Sequence, residues 1–295
     1  MLFPAMANCW PTGQRTFDSN LCGLAASARV DARIKELTMA KLTIKDLQQM
    51  KHDGKKIAVA VVYEYQMAKI CERAGADLLS VGDSLGRVFL GLPHTDDFTI
   101  DDMLPFAKAV ACAAERAVVN VDMPTATCNA GPKAVAAAAL RIKNEVGADM
   151  TKVDIRQQEE ALFDDVRAVV ETGLPVYPQI GFPAGAGSTI HGSKADHEHM
   201  LKWAHRLEDA GAVALDLTSV TPEIYADVCK SVKIPVLGGQ TGPEADGRIY
   251  VSYGLVGYQA ATIDRAGAPS TAKFIFDQMK AAIDAVHSGH WKAGH

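Results

Sequence analysis

The sequence predicts a single (β/α)₈ barrel, and three observations support this prediction. Of the 295 residues, 48% are hydrophobic and 22% are charged, which provides enough apolar side chains for one large core. Short β-branched runs alternate with longer segments of helical apolar spacing, a pattern typical of a parallel sheet. Seven or eight such units close most naturally into a barrel, since no G-x-G-x-x-G motif follows the first strand to favour an open dinucleotide-binding sheet.

The chain divides into an N-terminal arm and one folded domain. Residues 1–40 contain scattered Pro, Gly, Asn and Ser without a sustained period, so we expect an irregular arm there. The arm lacks the basic start and continuous apolar centre of a secretory signal. Thr43 and Asp46 predict the capped start of a short amphipathic helix that ends at Gly54, and the barrel domain is predicted over residues 41–290.

Strands and helices are predicted in strict alternation after Gly54. The strands are predicted at residues 57–63, 77–82, 117–122, 149–154, 175–180, 213–217 and 234–238, with a weaker eighth candidate at 255–263. The helices are predicted at residues 66–74, 101–114, 133–146, 157–172, 197–210 and 222–231.

Composition excludes several classes of function. The formal net charge of −5 gives no basic surface for nucleic acid or anionic lipid. No apolar run approaches the ~18 residues that a membrane span needs. Six dispersed cysteines, without a C-x-x-C pair, suggest neither a disulfide framework nor a structural zinc site. We therefore expect a cytoplasmic protein that acts on small molecules.

Polar residues follow the predicted strands at their carboxyl ends. In a barrel these ends build the active-site face. The residues in question are Glu64, Asp83, Ser84, Asp122, Lys152, Asp154, Gln179, Asp216 and Thr218. Lys152 and Asp154 are two residues apart, so both face the barrel interior, where a lysine is seldom structural.

Several carboxylates at one mouth indicate a divalent cation, because like charges at close range repel unless they are neutralised. Oxygen ligands without clustered His or Cys favour Mg²⁺, with Mn²⁺ close behind. Such aspartates commonly cap the following helix instead. Asp83 precedes Ser-Leu-Gly-Arg and Asp122 precedes Met-Pro-Thr, and neither sequence reads as the start of a helix.

Four motifs resemble the ketopantoate hydroxymethyltransferase family over about residues 42–257: VGDSLG at 81–86, DMP at 122–124, KVD at 152–154 and DGR at 246–248. The resemblance implies a TIM barrel of the phosphoenolpyruvate/pyruvate superfamily type and a homo-oligomer. It implies a step of pantothenate biosynthesis, in which hydroxymethyl transfer from 5,10-methylenetetrahydrofolate to 3-methyl-2-oxobutanoate gives 2-dehydropantoate through a metal-stabilised enolate.

The resemblance also assigns roles to single residues. It implies that Asp83 and Asp122 bind Mg²⁺ and that Asp154, where the family usually has Glu, supports the metal through water. It implies that Lys152 contacts the 2-oxoacid as a catalytic residue and that Ser84 binds the substrate carboxylate.

The sequence departs from the family at the proton acceptor. Thr218 stands where the family has a catalytic Glu, and Gln179 stands where it has His. Asp216 and Glu64 remain as possible bases, and Lys194 is matched to a lysine of the family's G-G-Y-K loop.

Two other functions stay open for the same barrel. One is a folate-independent 2-oxoacid aldolase or carbon–carbon lyase, although no K-K-C-G-H loop is present. The other is an inactive barrel that serves as a binding subunit, against which the retained Asp83, Asp122 and Lys152 argue. The histidines His191, His197, His199 and His205 fit a loop and helix surface better than a metal site, and Trp203 fits the core.

Overall fold

The computed structural model describes residues 40–156, 158–183, 190–240, 242–267 and 270–290, and these form a closed parallel barrel. The eight strands pair in chain order, and the last pairs with the first. Their bounds are β1 Ile57–Val62, β2 Leu78–Val81, β3 Val118–Asp122, β4 Met150–Asp154, β5 Val176–Gly181, β6 Leu215–Thr218, β7 Val236–Gly238 and β8 Gly247–Val251. The predicted barrel is confirmed, and seven predicted strands match within two residues.

Helices lie between the strands and after the last of them. They are α1 Ile44–His52, α2 Tyr65–Ala74, α3 Leu85–Val88, α4 Ile100–Ala113, α5 Thr125–Asn129, α6 Pro132–Arg141, α7 Glu159–Glu171, α8 Lys194–Asp209, α9 Pro222–Ser231, α10 Ser252–Leu255 and α11 Thr271–His287. A π-helical segment, Ile142–Val146, extends α6. The six predicted helices match within three residues, and the predicted arm lies outside the described residues except at its last position.

The prediction of an eighth strand at 255–263 is wrong. Leu255 ends α10, and a short 3₁₀ helix covers Ala260–Thr262. β8 pairs with β1 from Gly247 onwards, and a Cβ on Gly247 would stand 2.3 Å from the carbonyl oxygen of Ile57. The run G-R-I-Y-V escaped detection because its outward side chains are exposed, so it lacks the continuous apolar pattern of a doubly buried strand.

The N-terminal end of the barrel is closed by apolar side chains. Thr43 and Asp46 form the predicted capping box at the start of α1. This helix directs Leu47, which is 2% exposed, onto an apolar floor. The floor comprises Ile57, Val59, Leu78, Val118, Met150, Tyr177, Ala214 and Leu237. The polar interior therefore opens only towards the carboxyl ends of the strands.

The longer helices α2, α4, α7, α8 and α9 pack against the strands of the barrel, whereas α11 has no buried residue. Trp203 on α8 is 1% exposed, which confirms its predicted place in the core. The helix α11 has no buried residue, and Phe274 on it is 65% exposed. Among the residues that the structure describes, no helix combines the length and hydrophobicity of a membrane crossing.

Cysteines of the described chain are mostly free. Cys71, Cys128 and Cys229 are free thiols. Cys112 is disulfide-bonded, whereas the sequence suggested no disulfide framework.

We expect Leu47→Ala to lower the free energy of unfolding by about 2–4 kcal/mol, because it opens a cavity under the barrel floor. Urea unfolding followed by circular dichroism measures this change. The matched control is Ile70→Ala on α2, where the side chain is 61% exposed and a change within about 0.5 kcal/mol is expected. Equal effects of the two substitutions would show that α1 does not close the barrel.

Candidate active site

A layer of buried polar side chains lies above the apolar floor. Strand register places Lys152 opposite Asp122 and Asp216 opposite Gln179. Alternation along β3 directs both Asn120 and Asp122 inwards, where they are 0% and 3% exposed. The predicted site residues of β3, β4 and β6 therefore meet inside the barrel.

Lys152 is held as a cation between two carboxylates. Its Nζ donates to Asp122 Oδ2 at 2.8 Å and lies 3.6 Å from Asp216 Oδ2. Burial alone would lower the pKa of Lys152, but the charges of Asp122, Asp216 and Asp83 outweigh burial and raise it. Lys152 therefore supplies positive charge to the site and cannot act as a base at neutral pH.

Asp122 is fixed by three donors. Besides Lys152, Asn120 Nδ2 donates to Asp122 Oδ1 at 2.7 Å, and Ser80 Oγ donates to the same oxygen at 3.3 Å. Asn120 Nδ2 also donates to Ser80 Oγ at 2.8 Å, which closes the network. The carboxylate of Asp122 is thus held in one orientation at the strand end.

Asp83 differs from Asp122, because no described side chain donates to it. Burial raises the pKa of Asp83 to about 6, and the nearby charge of Asp122 adds to the rise. Contrary to the sequence prediction, a one-turn helix, α3, follows it, but no side chain caps this helix. Asp83 is therefore a carboxylate beside a second carboxylate without a cation of its own, a donor set that suits a hard divalent ion.

Asp154 is paired with Arg156, which the sequence analysis did not single out. Arg156 Nε donates to Asp154 Oδ1 at 2.9 Å, and Nη2 donates to Oδ2 at 2.6 Å. Burial would raise the pKa of Asp154, but the guanidinium outweighs burial and lowers it. The signal was present in the sequence, since Arg156 stands two positions beyond Asp154 and follows the same strand.

The three predicted metal ligands do not form one cluster. No group of three or more His, Cys, Asp or Glu side chains within the described ranges is arranged to hold a metal ion. Asp83 accepts from no described side chain. Both oxygens of Asp122 accept from neighbouring donors, and both oxygens of Asp154 are engaged by Arg156. A cation bound at these residues would take most of its ligands from water, as Mg²⁺ usually does in proteins.

Ser84 lies at the edge of the site. Its Oγ is 2.8 Å from the hydroxyl of Tyr63, whose ring stacks on that of Tyr253 at 5.1 Å. Ser84 also borders an open groove of about 860 Å³. The groove is lined mainly by apolar side chains, among them Phe89 and Phe276.

The candidate proton acceptors differ in the partners that their side chains have. Glu64 caps α2 and accepts the hydroxyl of Tyr253 at 2.9 Å, so its carboxylate is occupied. Thr218 offers only a hydroxyl, to which Arg156 Nη1 donates at 3.3 Å. Asp216 is 3% exposed and its Oδ1 has no partner within the described part of the chain. Burial raises the pKa of Asp216 to about 6, although Lys152 and Arg156 lower it.

Three of the four histidines, and Lys194, have local partners among the described residues. His191 stacks on Phe182 with the ring centroids 3.9 Å apart. His197 lies 3.2 Å from Asp227, and His199 lies 2.6 Å from Glu159. The side chain of Lys194 is 91% exposed at the start of α8.

We expect Asp83→Asn and Asp122→Asn to change stability in opposite directions in metal-free protein. The pKa of Asp83 is higher in the folded state than the ordinary 3.8, so its contribution to stability is present below about pH 4 and is lost as the pH rises through about 6. At pH 7.5 in EDTA, Asp83→Asn should therefore add about 1–2 kcal/mol to the free energy of unfolding.

The matched variant Asp122→Asn should lower the free energy of unfolding by about 2–4 kcal/mol, because it leaves Lys152 without its closest partner. Urea unfolding at pH 7.5 and at pH 4 measures both effects, and the gain from Asp83→Asn should disappear at the lower pH. Destabilisation by Asp83→Asn at pH 7.5 would show that its carboxylate has a partner.

The barrel is similar to those of solved lyases and hydrolases. 2,3-Dimethylmalate lyase, described as a PEP mutase/isocitrate lyase superfamily member, aligns with a TM-score of 0.57 and 18% identity, over 83% of this chain and 99% of the lyase. Phosphonopyruvate hydrolase, solved with oxalate and Mg²⁺, aligns with a TM-score of 0.57 and 15% identity, over 85% of this chain and all of the hydrolase. These likenesses confirm the predicted (β/α)₈ fold.

Sequence comparison is more specific. The model of the family described as ketopantoate hydroxymethyltransferase matches residues 41–290. The 3-methyl-2-oxobutanoate hydroxymethyltransferase of Bacillus pumilus is 34% identical, over 78% of this chain and 81% of the relative. The enzyme of the same name from Bacillus subtilis is 30% identical, over 83% and 87%. This chain therefore belongs to the ketopantoate hydroxymethyltransferase family.

Proposed function

We propose that this protein transfers a hydroxymethyl group from 5,10-methylenetetrahydrofolate to 3-methyl-2-oxobutanoate and so forms 2-dehydropantoate. The family and the names of its relatives support this reaction. The observation that carries it is the Lys152–Asp122 ion pair at the barrel mouth, with the unpaired carboxylate of Asp83 beside it. The arrangement suits a small anion that arrives together with a divalent cation.

Asp83 and Asp122 are the proposed ligands of Mg²⁺, or of Mn²⁺ in its place. When bound, the cation polarises the keto group of the 2-oxoacid and stabilises negative charge on its oxygen. We assign Asp154 a supporting role through water, for which its position two residues beyond Lys152 on β4 provides the reach.

Lys152, Ser84 and Asp216 have separate proposed roles. Lys152 places a fixed positive charge next to the developing enolate. Ser84 donates its hydroxyl to the substrate carboxylate. Asp216 accepts the proton from C3, because it lies at the level of Lys152, has one free oxygen and has a pKa of about 6.

A second function on the same site is a folate-independent aldolase or carbon–carbon lyase that acts on a 2-oxoacid. One observation favours it: the described mouth carries Thr218 and Gln179 at the two positions where the sequence departs from the family pattern. A barrel that only binds, without turnover, is the remaining alternative. Enolisation separates these functions, since both enzymes need it and the binding subunit does not.

We also propose a homo-oligomer in which another copy covers α11. Six large apolar side chains of this helix are exposed. An amphipathic helix that packs on a protein core normally buries the apolar side chains of one face. The six exposed side chains are Phe274, Ile275, Phe276, Met279, Ile283 and Val286. A surface of this kind fits a second apolar protein surface of the same chain.

We expect the protein with Mg²⁺ to exchange the C3 proton of 3-methyl-2-oxobutanoate for deuterium in D₂O, as followed by NMR. The rate should rise as the pH passes through about 6, because Asp216 must be ionised to accept the proton. Asp216→Asn should lower exchange by at least about 100-fold while Mg²⁺-dependent binding of the acid is retained. Binding without exchange by the unmodified protein would favour the binding subunit.

Formation of product distinguishes the two enzymes. Addition of 5,10-methylenetetrahydrofolate should yield 2-dehydropantoate and tetrahydrofolate. Exchange without any folate-dependent product would support the aldolase or lyase.

We expect Phe274→Glu to reduce the oligomer to smaller species, because it places a charge on the apolar face of α11. Size-exclusion chromatography with light scattering measures the mass. Lys280→Glu, on the same helix at an exposed polar position, is the matched control and should leave the mass unchanged. A monomeric unmodified protein would contradict the proposal.

A further inference from the structure

Arg156 spans the mouth of the barrel from β4 to β6. It pairs side-on with Asp154 and donates from Nη1 to Thr218 Oγ1 at 3.3 Å. Its side chain is 21% exposed, so most of the guanidinium is withdrawn from water. The cation thus lies over the site and not on the outer surface.

Two N–H groups of the Arg156 guanidinium have no acceptor among the described residues. A guanidinium carries five N–H groups. Three of them have acceptors among the described residues, on Asp154 and Thr218. One N–H of Nη1 and one of Nη2 remain, and a pair of guanidinium N–H groups can match the two oxygens of a carboxylate. Thr218 beside them adds no negative charge that would repel an anion.

Electrostatics connect Arg156 to the rest of the site. Burial would lower the pKa of Arg156, but Asp154, Asp216 and Asp83 outweigh burial and raise it. Asp83 and Asp216 therefore lie within electrostatic range of the guanidinium. A small molecule anchored near Asp83 and Lys152 would therefore be exposed to the charge of Arg156.

We propose that Arg156 and Thr218 form a subsite for a second carboxylate, so that the protein binds 2-oxodicarboxylates more tightly than 2-oxomonocarboxylates of equal length. This inference rests on the proposed metal-dependent 2-oxoacid site. The 2-oxoacid end binds beside Lys152, and the distal carboxylate accepts N–H groups of Arg156. An apolar acceptor such as 3-methyl-2-oxobutanoate leaves this subsite to water.

The competing role for Arg156 is to neutralise Asp154 alone. In that case the guanidinium would affect all 2-oxoacids alike, because it would act through Asp154 and not through the ligand. The two roles therefore differ in the ratio of affinities within a pair of matched ligands. This ratio is a binding readout and needs no turnover.

Isothermal titration calorimetry with Mg²⁺ tests the subsite with two matched pairs. Oxaloacetate is compared with 2-oxobutanoate, and 2-oxoglutarate with 2-oxopentanoate, since each pair differs only in replacement of the terminal methyl by a carboxylate. We expect the dicarboxylate of at least one pair to bind about tenfold more tightly, as a charge-assisted pair of hydrogen bonds contributes this much after desolvation. Using both lengths measures how far Arg156 lies from the bound 2-oxo end.

Three variants identify the subsite. Arg156→Met should remove the difference in affinity between the two members of each pair, whereas Arg156→Lys should keep part of it. Thr218→Glu should also abolish it, because the new carboxylate occupies the donors of Arg156. Circular dichroism spectra and unfolding midpoints establish that each variant is folded.

The outcomes separate the two proposals. No preference in the unmodified protein, or an unchanged preference in Arg156→Met, would overturn the subsite while leaving the 2-oxoacid site in place. Failure of both members of each pair to bind with Mg²⁺ would overturn the proposed function together with the subsite. Loss of all binding in folded Arg156→Met and Arg156→Lys alike would show that Arg156 acts by neutralising Asp154 and not by binding the ligand.

Discussion

The buried ion pair between Lys152 and Asp122 is the interaction on which the rest of the site depends. Two charges inside a barrel are costly to desolvate, and the structure compensates with short hydrogen bonds and with Asp216 on the other side of the ammonium. This arrangement sets the positions of a carboxylate and a cation at the strand ends. It also holds Lys152 in the charged state, so that the proton acceptor must be sought elsewhere.

The aspartates of the mouth are not equivalent, and their partners explain the difference. Asp122 and Asp154 face cationic side chains, whereas Asp83 has none within the described chain and has a raised pKa. The unpaired carboxylate of Asp83 beside Asp122 lowers the stability of the metal-free protein. A divalent cation would reduce the repulsion between Asp83 and Asp122. Affinity for the metal and lower stability without it would then have the same cause.

The repeating units of the barrel and the strand-end position of the polar residues could be predicted from the sequence. Buried parallel strands read as continuous β-branched runs, and side-chain alternation directs Asp122 and Lys152 inwards. β8 was missed because its outer face is exposed, and Arg156 was missed because it lies beyond the last residue of β4. The pairing of Arg156 with Thr218 joins residues 62 positions apart, and only the closed barrel brings them together.

The helix α11 was not among the helices predicted from the sequence. Its apolar side chains are exposed, and their spacing along the chain does not identify the surface that covers them. The sequence shows that Thr218 and Gln179 replace the Glu and the His of the family pattern. The structure adds that a guanidinium faces Thr218, which changes the charge that the mouth presents to a ligand.

Anomalous X-ray diffraction from crystals grown with Mn²⁺ and 3-methyl-2-oxobutanoate tests the central claim most directly. We predict one manganese peak at the carboxyl ends of β2 and β3, with one oxygen each from Asp83 and Asp122 at bonding distance and with the 2-oxoacid bound to the same ion. A manganese ion bound elsewhere, or a 2-oxoacid bound at the mouth without any contact to these two aspartates, would contradict it.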